Sequence, residues 1–412
     1  MTRTPKKSKK TRPSSKTKVG VIGKIRRIIG VLALLFVLAV TGIVIDGWQA
    51  FGQRATGARR AAMEASPQYQ DGVFENPQPL WNDIAGSIFG FFDKSPHAAP
   101  AVPIVAQRVD PARFDVPPAS GLRATWLGHS TVLVEIDGFR ILTDPVWGER
   151  PSPLTWLGPA RWYAPPLPLK DLPQVDAIVL SHDHYDHLDH PTIVALSKRQ
   201  TRWIVPLGVG AHLVYWGVPK ERITVLDWGG KTQLRRPGGQ RMTVHCTESR
   251  HASGRQILDQ NATLWAGYAM ISKRHRVFYS GDTGLFPGMK RIGKELGPFD
   301  LTMIEVGAYD KAWPDWHIGP EQAVEAHQWL RGKAFLPVHW GLFDLALHAW
   351  TEPIERTLVA ADAAQVPVLT PRPGESMEPS LPPERKAWWP KVPWQTAAEH
   401  PIVSTGVDDR RK

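Results

Sequence analysis

The sequence predicts a layered α/β domain behind one N-terminal membrane helix, and three observations lead there. Residues 28–45 run for eighteen positions without a charge. From Gly121 onward, short apolar runs that read as strands alternate with segments of helical period, the order that favours stacked layers of sheet and helix. Residues 181–190 then read Ser-His-Asp-His-Tyr-Asp-His-Leu-Asp-His, directly after the apolar run 177–180. A strand-end loop of this kind can aim alternate side chains at two neighbouring ions.

The formal charge of +11 at first resembles a nucleic-acid signature. Residues 1–27, however, carry eleven Lys or Arg and no acid, and removing them leaves 39 basic against 39 acidic residues. The basic character therefore belongs to a tail, expected to be cytoplasmic, and nucleic acid is not an expected partner. The uncharged stretch 28–45 measures roughly 27 Å as a helix, close to the hydrocarbon thickness of a bilayer. Its Lys/Arg-rich flank orients it with the remainder outside the cytoplasm, which implies a single-pass inner-membrane protein of a bacterium with a periplasmic domain. A cleaved signal peptide is the rival, but the apolar core is long for one and Ala50-Phe51-Gly52 is a weak cleavage pattern. Arg26-Arg27 lacks the surroundings of a twin-arginine signal.

Residues 46–120 read as a linker and N-terminal extension, Pro- and Ala-rich, with one apolar piece at 84–92. That piece is expected to rest in the membrane interface or to pack on the domain. Strands are expected at 124–127, 131–136, 140–143, 177–181, 203–206, 223–226, 241–247, 264–271, 276–280, 301–306 and 334–338. Helices are expected after Pro191, at 320–330 and at 352–364. The single Cys246 excludes an intrachain disulfide, and its alternation with Met242 and Val244 places it on the buried face of a strand. Residues 378–412 form a polar, Pro-rich tail with Trp388, Trp389 and Trp394, for which packing on the domain or a place at a membrane boundary are the two readings.

Imidazoles and carboxylates are costly to bury unless something pairs with them, and a metal is the economical partner for this set. The cluster assigns His182 and His184 to one ion, Asp186 and His187 to a second. Further ligands should lie at strand ends. Asp282, flanked by Gly281 and Gly284, can bridge both ions. For the first ion His245 and His251 compete, and His251 is preferred because His245 lies inside a strand. His339 ends the strand at 335–338 and would complete the second ion.

With these residues in order the chain resembles the metallo-β-lactamase superfamily, whose fold is an αββα sandwich with a dinuclear metal site along one edge. Residues 125–131 (TWLGHST), 142–145 (LTDP), 181–189, 280–284 (SGDTG), 297–300 (GPFD), 307–309 (GAY) and 338–341 (VHWG) are similar to the N-acylphosphatidylethanolamine-hydrolysing phospholipase D group. The similarity covers 121–377, the expected hydrolase domain, with a weaker match at 71–77. It implies two zinc ions, iron or manganese being the alternatives, on His182, His184 and His251 and on Asp186, His187 and His339, with Asp282 between. It also implies that His317 lies beside the substrate, and that Asp144 and His129 orient ligands. The chain departs from the animal enzymes in its membrane helix and in Ala252-Ser253-Gly254-Arg255, which replaces a bulky aromatic run.

The expected activity is zinc-dependent hydrolysis of a phosphodiester in a membrane lipid, with Asp282 and His317 as catalytic residues. A lactonase or a phosphodiesterase for soluble esters on the same scaffold would share every ligand. An iron-based redox protein would call for a Glu among the ligands and a flavin-binding partner domain, and neither is visible. The sequence leaves oligomeric state open.

Overall fold

The computed structural model describes residues 2, 4, 15–90, 92–256, 258–382 and 384–407, and the chain divides into two units, residues 1–48 and 49–412. The first holds helix α1, Ser15–Gly47. Its segment Gly23–Gly47 has a mean hydropathy of 3.0 and buries none of its apolar window. Twenty-five helical residues reach about 37 Å, longer than the ~30 Å core of a bilayer.

The second unit opens with α2 (Ala58–Glu64), a small hairpin of β1 (Tyr69–Gln70) and β2 (Val73–Phe74), and α3 (Ile84–Gly90). Then follow β3 (Leu122–Gly128), β4 (Thr131–Ile136), β5 (Phe139–Thr143), β6 (Ala177–Val179), α4 (His190–Leu196), β7 (Arg202–Pro206), α5 (Gly210–Tyr215), β8 (Ile223–Leu226), β9 (Lys231–Arg235) and β10 (Arg241–Thr247). The rest is β11 (Gly267–Ile271), β12 (Arg276–Tyr279), α6 (Gly288–Leu296), β13 (Leu301–Glu305), α7 (Pro320–Trp329), β14 (Phe335–Val338), α8 (Glu352–Ala364) and β15 (Ser376–Met377).

Two mixed sheets result. The seven-stranded sheet has the order β15-β3-β4-β5-β6-β7-β8, antiparallel as far as β5 and parallel from β5 to β8. The six-stranded sheet has the order β14-β13-β12-β11-β10-β9, parallel from β14 to β12 and antiparallel beyond. Alternation along each strand decides what it covers. In β4, Val132, Val134 and Ile136 join the core shared with Val244, Tyr268, Met270 and Tyr279 of the other sheet. Leu133 points the opposite way, into a cluster with Ile178, Trp203 and Val205 that α4 and α5 close with Ile193, Leu196 and Leu213. Met289, Ile292, Val324 and Ile354 bring α6, α7 and α8 onto the six-stranded sheet. The layering is therefore helix, sheet, sheet, helix.

Cys246 lies on the inner face of β10, and burial raises its thiol pKa. The run 264–271 starts as a strand only at Gly267, because Leu264 and Ala266 hydrogen-bond to Leu207 and Ser181 of the neighbouring layer. Of the three C-terminal tryptophans, Trp388 stacks on Trp340 and Trp389 donates its indole N–H to Glu355, so both pack on the domain. In α3, Phe89 is largely exposed, as is Phe92 just beyond it.

Candidate metal centre

The chain turns leave the sandwich at one edge, and the functional side chains sit on those turns. Asp144 follows β5, His182 lies just beyond β6, His251 beyond β10, Asp282 beyond β12 and His339 directly after β14. Several adopt the left-handed backbone that favours glycine: His129 (φ 52°), Asp144 (φ 30°) and His339 (φ 64°). Such conformations cost energy in a non-glycine residue and gather where a site over-determines them. Gly281 shows why glycine flanks the acid: at φ 58° an added Cβ would stand 2.5 Å from the Ser181 Cβ. The two loops meet only because it has none.

All seven expected ligands converge. His182 Nε2 and His251 Nε2 lie 2.9 and 3.2 Å from His184 Nδ1. Asp186 Oδ2 lies 3.4 Å from His187 Nε2 and 3.2 Å from His339 Nε2. Between the groups, Asp282 Oδ2 is 3.0 Å from the Nε2 of His187 and of His339, and 3.8 Å from the Nε2 of His182 and of His251. His245, the rejected competitor, is on the other face of β10 from Cys246, outside these groupings.

Electrostatics tests whether these residues fit cations. Burial lowers the pKa of His182, His184 and His251, leaving the neutral imidazoles that a metal takes. At His339 burial pulls the same way, yet Asp282 and Asp186 overcome it and drive the pKa up to about 10. His187 is likewise pushed well above its ordinary value by Asp282, Asp186 and Asp144 against the effect of burial. The acids thus demand positive charge beside them. His187 Nε2 and Asp282 Oδ1 are moreover buried without a hydrogen-bond partner. Two divalent cations would meet the demand and use the orphaned atoms, so the donor set fits them.

The surrounding bonds aim the ring nitrogens. Asp144 Oδ2 takes the Nδ1 proton of His187 at 2.7 Å, leaving Nε2 free to face the cluster. The same carboxylate accepts the Ser181 backbone N–H at 2.7 Å, the Ser181 hydroxyl at 2.5 Å and the Tyr279 hydroxyl. His251 Nδ1 bonds the Trp316 carbonyl at 2.8 Å. His129 Nε2 reaches Asp186 Oδ2 at 2.9 Å, and burial holds the His129 pKa down at about 3. His317 stands over the cluster, its ring centroid 5.1 Å from those of His251 and His339, with 16% of its side chain exposed.

Three residues outside the sequence-based set also shape the site. Glu305 ends β13 and places Oε2 2.8 Å from His317 Nδ1, while its Oε1 accepts the Thr283 N–H. Burial, reinforced by Asp282, raises its pKa well above the carboxylate range. The His317 nitrogen that it holds is also the one that faces Asp282, 3.8 Å from Oδ2, and Oε2 lies 3.7 Å from His339 Nδ1, so Glu305 groups with Asp282, His317 and His339. Asn76, in the weakly matching 71–77 stretch, clasps the backbone of His251, donating to its carbonyl at 2.7 Å and accepting its N–H at 3.1 Å. Asp183 points away from the ring cluster and accepts from Gly254 N and Thr263 Oγ1, both at 2.8 Å. An acid closing the apolar strand Leu-Thr-Met-Ile-Glu was a legible signal for Glu305. Asn76 and Asp183 carried no comparable one.

Residues 139–340 match the family model for the beta-lactamase superfamily domain, and bacterial relatives described as metal-dependent hydrolases align with the chain, so the class of protein is a metal-dependent hydrolase. An uncharacterized protein of Mycobacterium tuberculosis is 45% identical over 340 residues, covering 80% of this chain and 89% of that one. N-acyl-phosphatidylethanolamine-hydrolyzing phospholipase D 1 of Caenorhabditis elegans is 38% identical over 255 residues, covering 60% and 71%. A solved metallo hydrolase of Ignicoccus hospitalis aligns over 62% of this chain and 97% of its own at 23% identity and a TM-score of 0.48. The chain belongs to the metallo-β-lactamase superfamily, in its N-acylphosphatidylethanolamine-hydrolysing phospholipase D-like group.

Proposed function

We propose that this chain is a membrane-anchored, dinuclear zinc phosphodiesterase of phospholipase D type, acting on (N-acyl)phosphatidylethanolamine-like lipids. The observation that carries the reading is the position of Asp282 Oδ2, within 3.8 Å of an imidazole nitrogen from each of two donor groups. His182, His184 and His251 would hold one ion, Asp186, His187 and His339 the other, and Asp282 both. Bound there, the ions would supply a nucleophile at neutral pH and neutralise the phosphoryl oxygens of a diester.

The protein groups have distinct tasks in this reading. Asp144 keeps the His187 proton on Nδ1, and Asp282 receives the proton of the attacking water. His317, held through Nδ1 by Glu305, offers its other nitrogen to the phosphate or to the departing alcohol. Water adds across the bond between phosphorus and the head-group oxygen. That bond breaks, and a phosphatidate and the free alcohol leave.

Helix α1 supports a lipid substrate, because tethering keeps the domain within reach of a bilayer and raises its encounter rate with phospholipid. The 38% identical phospholipase D of C. elegans supports the same choice. The proposed location is a bacterial inner membrane, with the hydrolase domain on the periplasmic side. Zinc-loaded protein incubated with vesicles of phospholipids and N-acylated phospholipids should release phosphatidate, identified by mass. Protein that opens lactones or cleaves soluble diesters but releases no phosphatidate overturns the lipid assignment. Iron in the purified protein with oxygen consumption overturns zinc hydrolysis.

A further inference from the structure

We propose that the segment Gln49–Gln53, which begins two residues after α1 ends, is a positioning element for the loop that carries His182, His184, Asp186 and His187. This inference rests on the reading of those residues as metal ligands. Three hydrogen bonds dock the segment. Trp216 Nε1 donates to the Gln49 carbonyl at 2.7 Å, Arg255 Nε to the Ala50 carbonyl at 2.8 Å, and the Gln53 N–H to His212 Nδ1 at 3.0 Å.

The side chains that grip the segment also grip the metal loop. Arg255 Nη1 donates to the carbonyls of Asp183 and Leu188 at 2.6 and 2.9 Å, bracketing the His184–His187 stretch. Its guanidinium lies 4.0 Å from the Tyr185 ring centre, and the Tyr185 hydroxyl returns a bond to the Arg255 carbonyl at 2.6 Å. His212 works in parallel. Its Nδ1 accepts from Gln53, so the proton resides on Nε2, which faces Asp183 Oδ2 at 3.3 Å. Asp183 stands between His182 and His184 in the chain. The planar fork of Arg255 thus holds two loop carbonyls and the segment at once, which a lysine cannot reproduce.

Gly52 makes the docking feasible. Its φ is 72°, and a Cβ added there would stand 2.1 Å from His212 Nδ1. The tripeptide Ala50-Phe51-Gly52, weak as a cleavage pattern, therefore has a positional use. Arg255 turns inward and is 3% exposed. It braces the ligand loop instead of lining the pocket.

The test uses the full chain in detergent, stripped by chelator and titrated with zinc by calorimetry, and with cobalt followed by its visible spectrum. Variants Gly52→Ala and Arg255→Lys should each weaken at least one of the two zinc-binding steps by about 10- to 100-fold and shift the cobalt bands. Acting on one loop, the two together should weaken it by less than the product of their separate effects. Val205→Ala, in the apolar cluster under α4, serves as a control for lost stability and should leave zinc affinity and cobalt bands unchanged. A parent protein that binds two zinc ions, with Gly52→Ala and Arg255→Lys binding them equally well, overturns the positioning role alone. Equal weakening in Val205→Ala overturns it too. A parent protein that binds no zinc overturns the ligand reading, and this inference with it.

Discussion

Replacing Asp144 by asparagine changes one atom at the most connected buried carboxylate of the site. Its two oxygens accept from Ser181 N, Ser181 Oγ, His187 Nδ1 and Tyr279 OH, with no water-exposed surface on the residue. An asparagine amide must turn its NH2 toward one of these positions. In one rotamer it meets the Ser181 N–H, in the other the His187 Nδ1–H, so a buried donor faces a donor at a cost of about 1–3 kcal/mol. The lost charge also removes what keeps the His187 proton on Nδ1 and its Nε2 lone pair toward the cluster. Zinc affinity should therefore fall about 10- to 100-fold, or roughly 1.4–2.7 kcal/mol. Calorimetric titration of stripped protein reads the affinity, and thermal melting of the same samples reads the fold. Tyr279→Phe removes one donor from the same carboxylate but keeps its charge, and should weaken zinc less. An Asp144→Asn protein with the parent's affinity would refute the claim that this carboxylate sets the orientation of His187.

Three more substitutions probe separate links. His317→Gln should retain both zinc ions, measured by elemental analysis, while kcat on phospholipid falls about 10²- to 10⁴-fold, the range for losing a general acid or base; loss of metal instead would make it a ligand. Asn76→Ala leaves the His251 N–H and carbonyl without their side-chain partner, and should lower stability by about 1–3 kcal/mol in a denaturant titration of stripped protein, and by at least as much in zinc-loaded protein, because a loosened His251 adds a loss of zinc affinity. His327 gives the pH prediction: burial lowers its pKa to about 4, with Nδ1 at 2.7 Å from Thr302 Oγ1. The unfolded chain, with its ordinary pKa near 6.5, then binds more protons than the folded one between pH 6.5 and 4. Its contribution is whole above pH 6.5 and is lost as pH falls toward 4, by roughly 3 kcal/mol at most. Denaturant titrations at pH 7 and 5 should show a smaller acid loss in His327→Gln than in the parent; equal losses would contradict the assignment.

The ligand loop was legible because its chemistry is local: four donors in six residues, closing an apolar strand, leave few other uses for them. Asp282, His251 and His339 were legible through a rule of position, since each follows a strand and the layers bring strand ends to one rim. Glu305 escaped because it was read with its strand, where it is the single acid after four residues that pack. Arg255 stands out in the sequence only as part of a departure at 252–255, and its direction depends on Ala50 and Asp183, 205 and 72 residues away in the chain. No local pattern encodes such a contact. Strand β9 was missed for a different reason: Lys231, Gln233 and Arg235 face solvent at a sheet edge, leaving Leu234 as its one buried residue. Helix α6 contains Gly293, whose missing Cβ admits the Trp329 carbonyl of the next helix at 2.0 Å from where a Cβ would stand. Tertiary packing there overrides a poor helix former.

Anomalous diffraction at the zinc absorption edge, from crystals of zinc-loaded protein, addresses the shared carboxylate most directly. The account predicts two peaks about 3.5–4 Å apart, one among His182, His184 and His251 and one among Asp186, His187 and His339, with Asp282 Oδ2 between them. A single peak, or two peaks with Asp282 bound to neither, would contradict it.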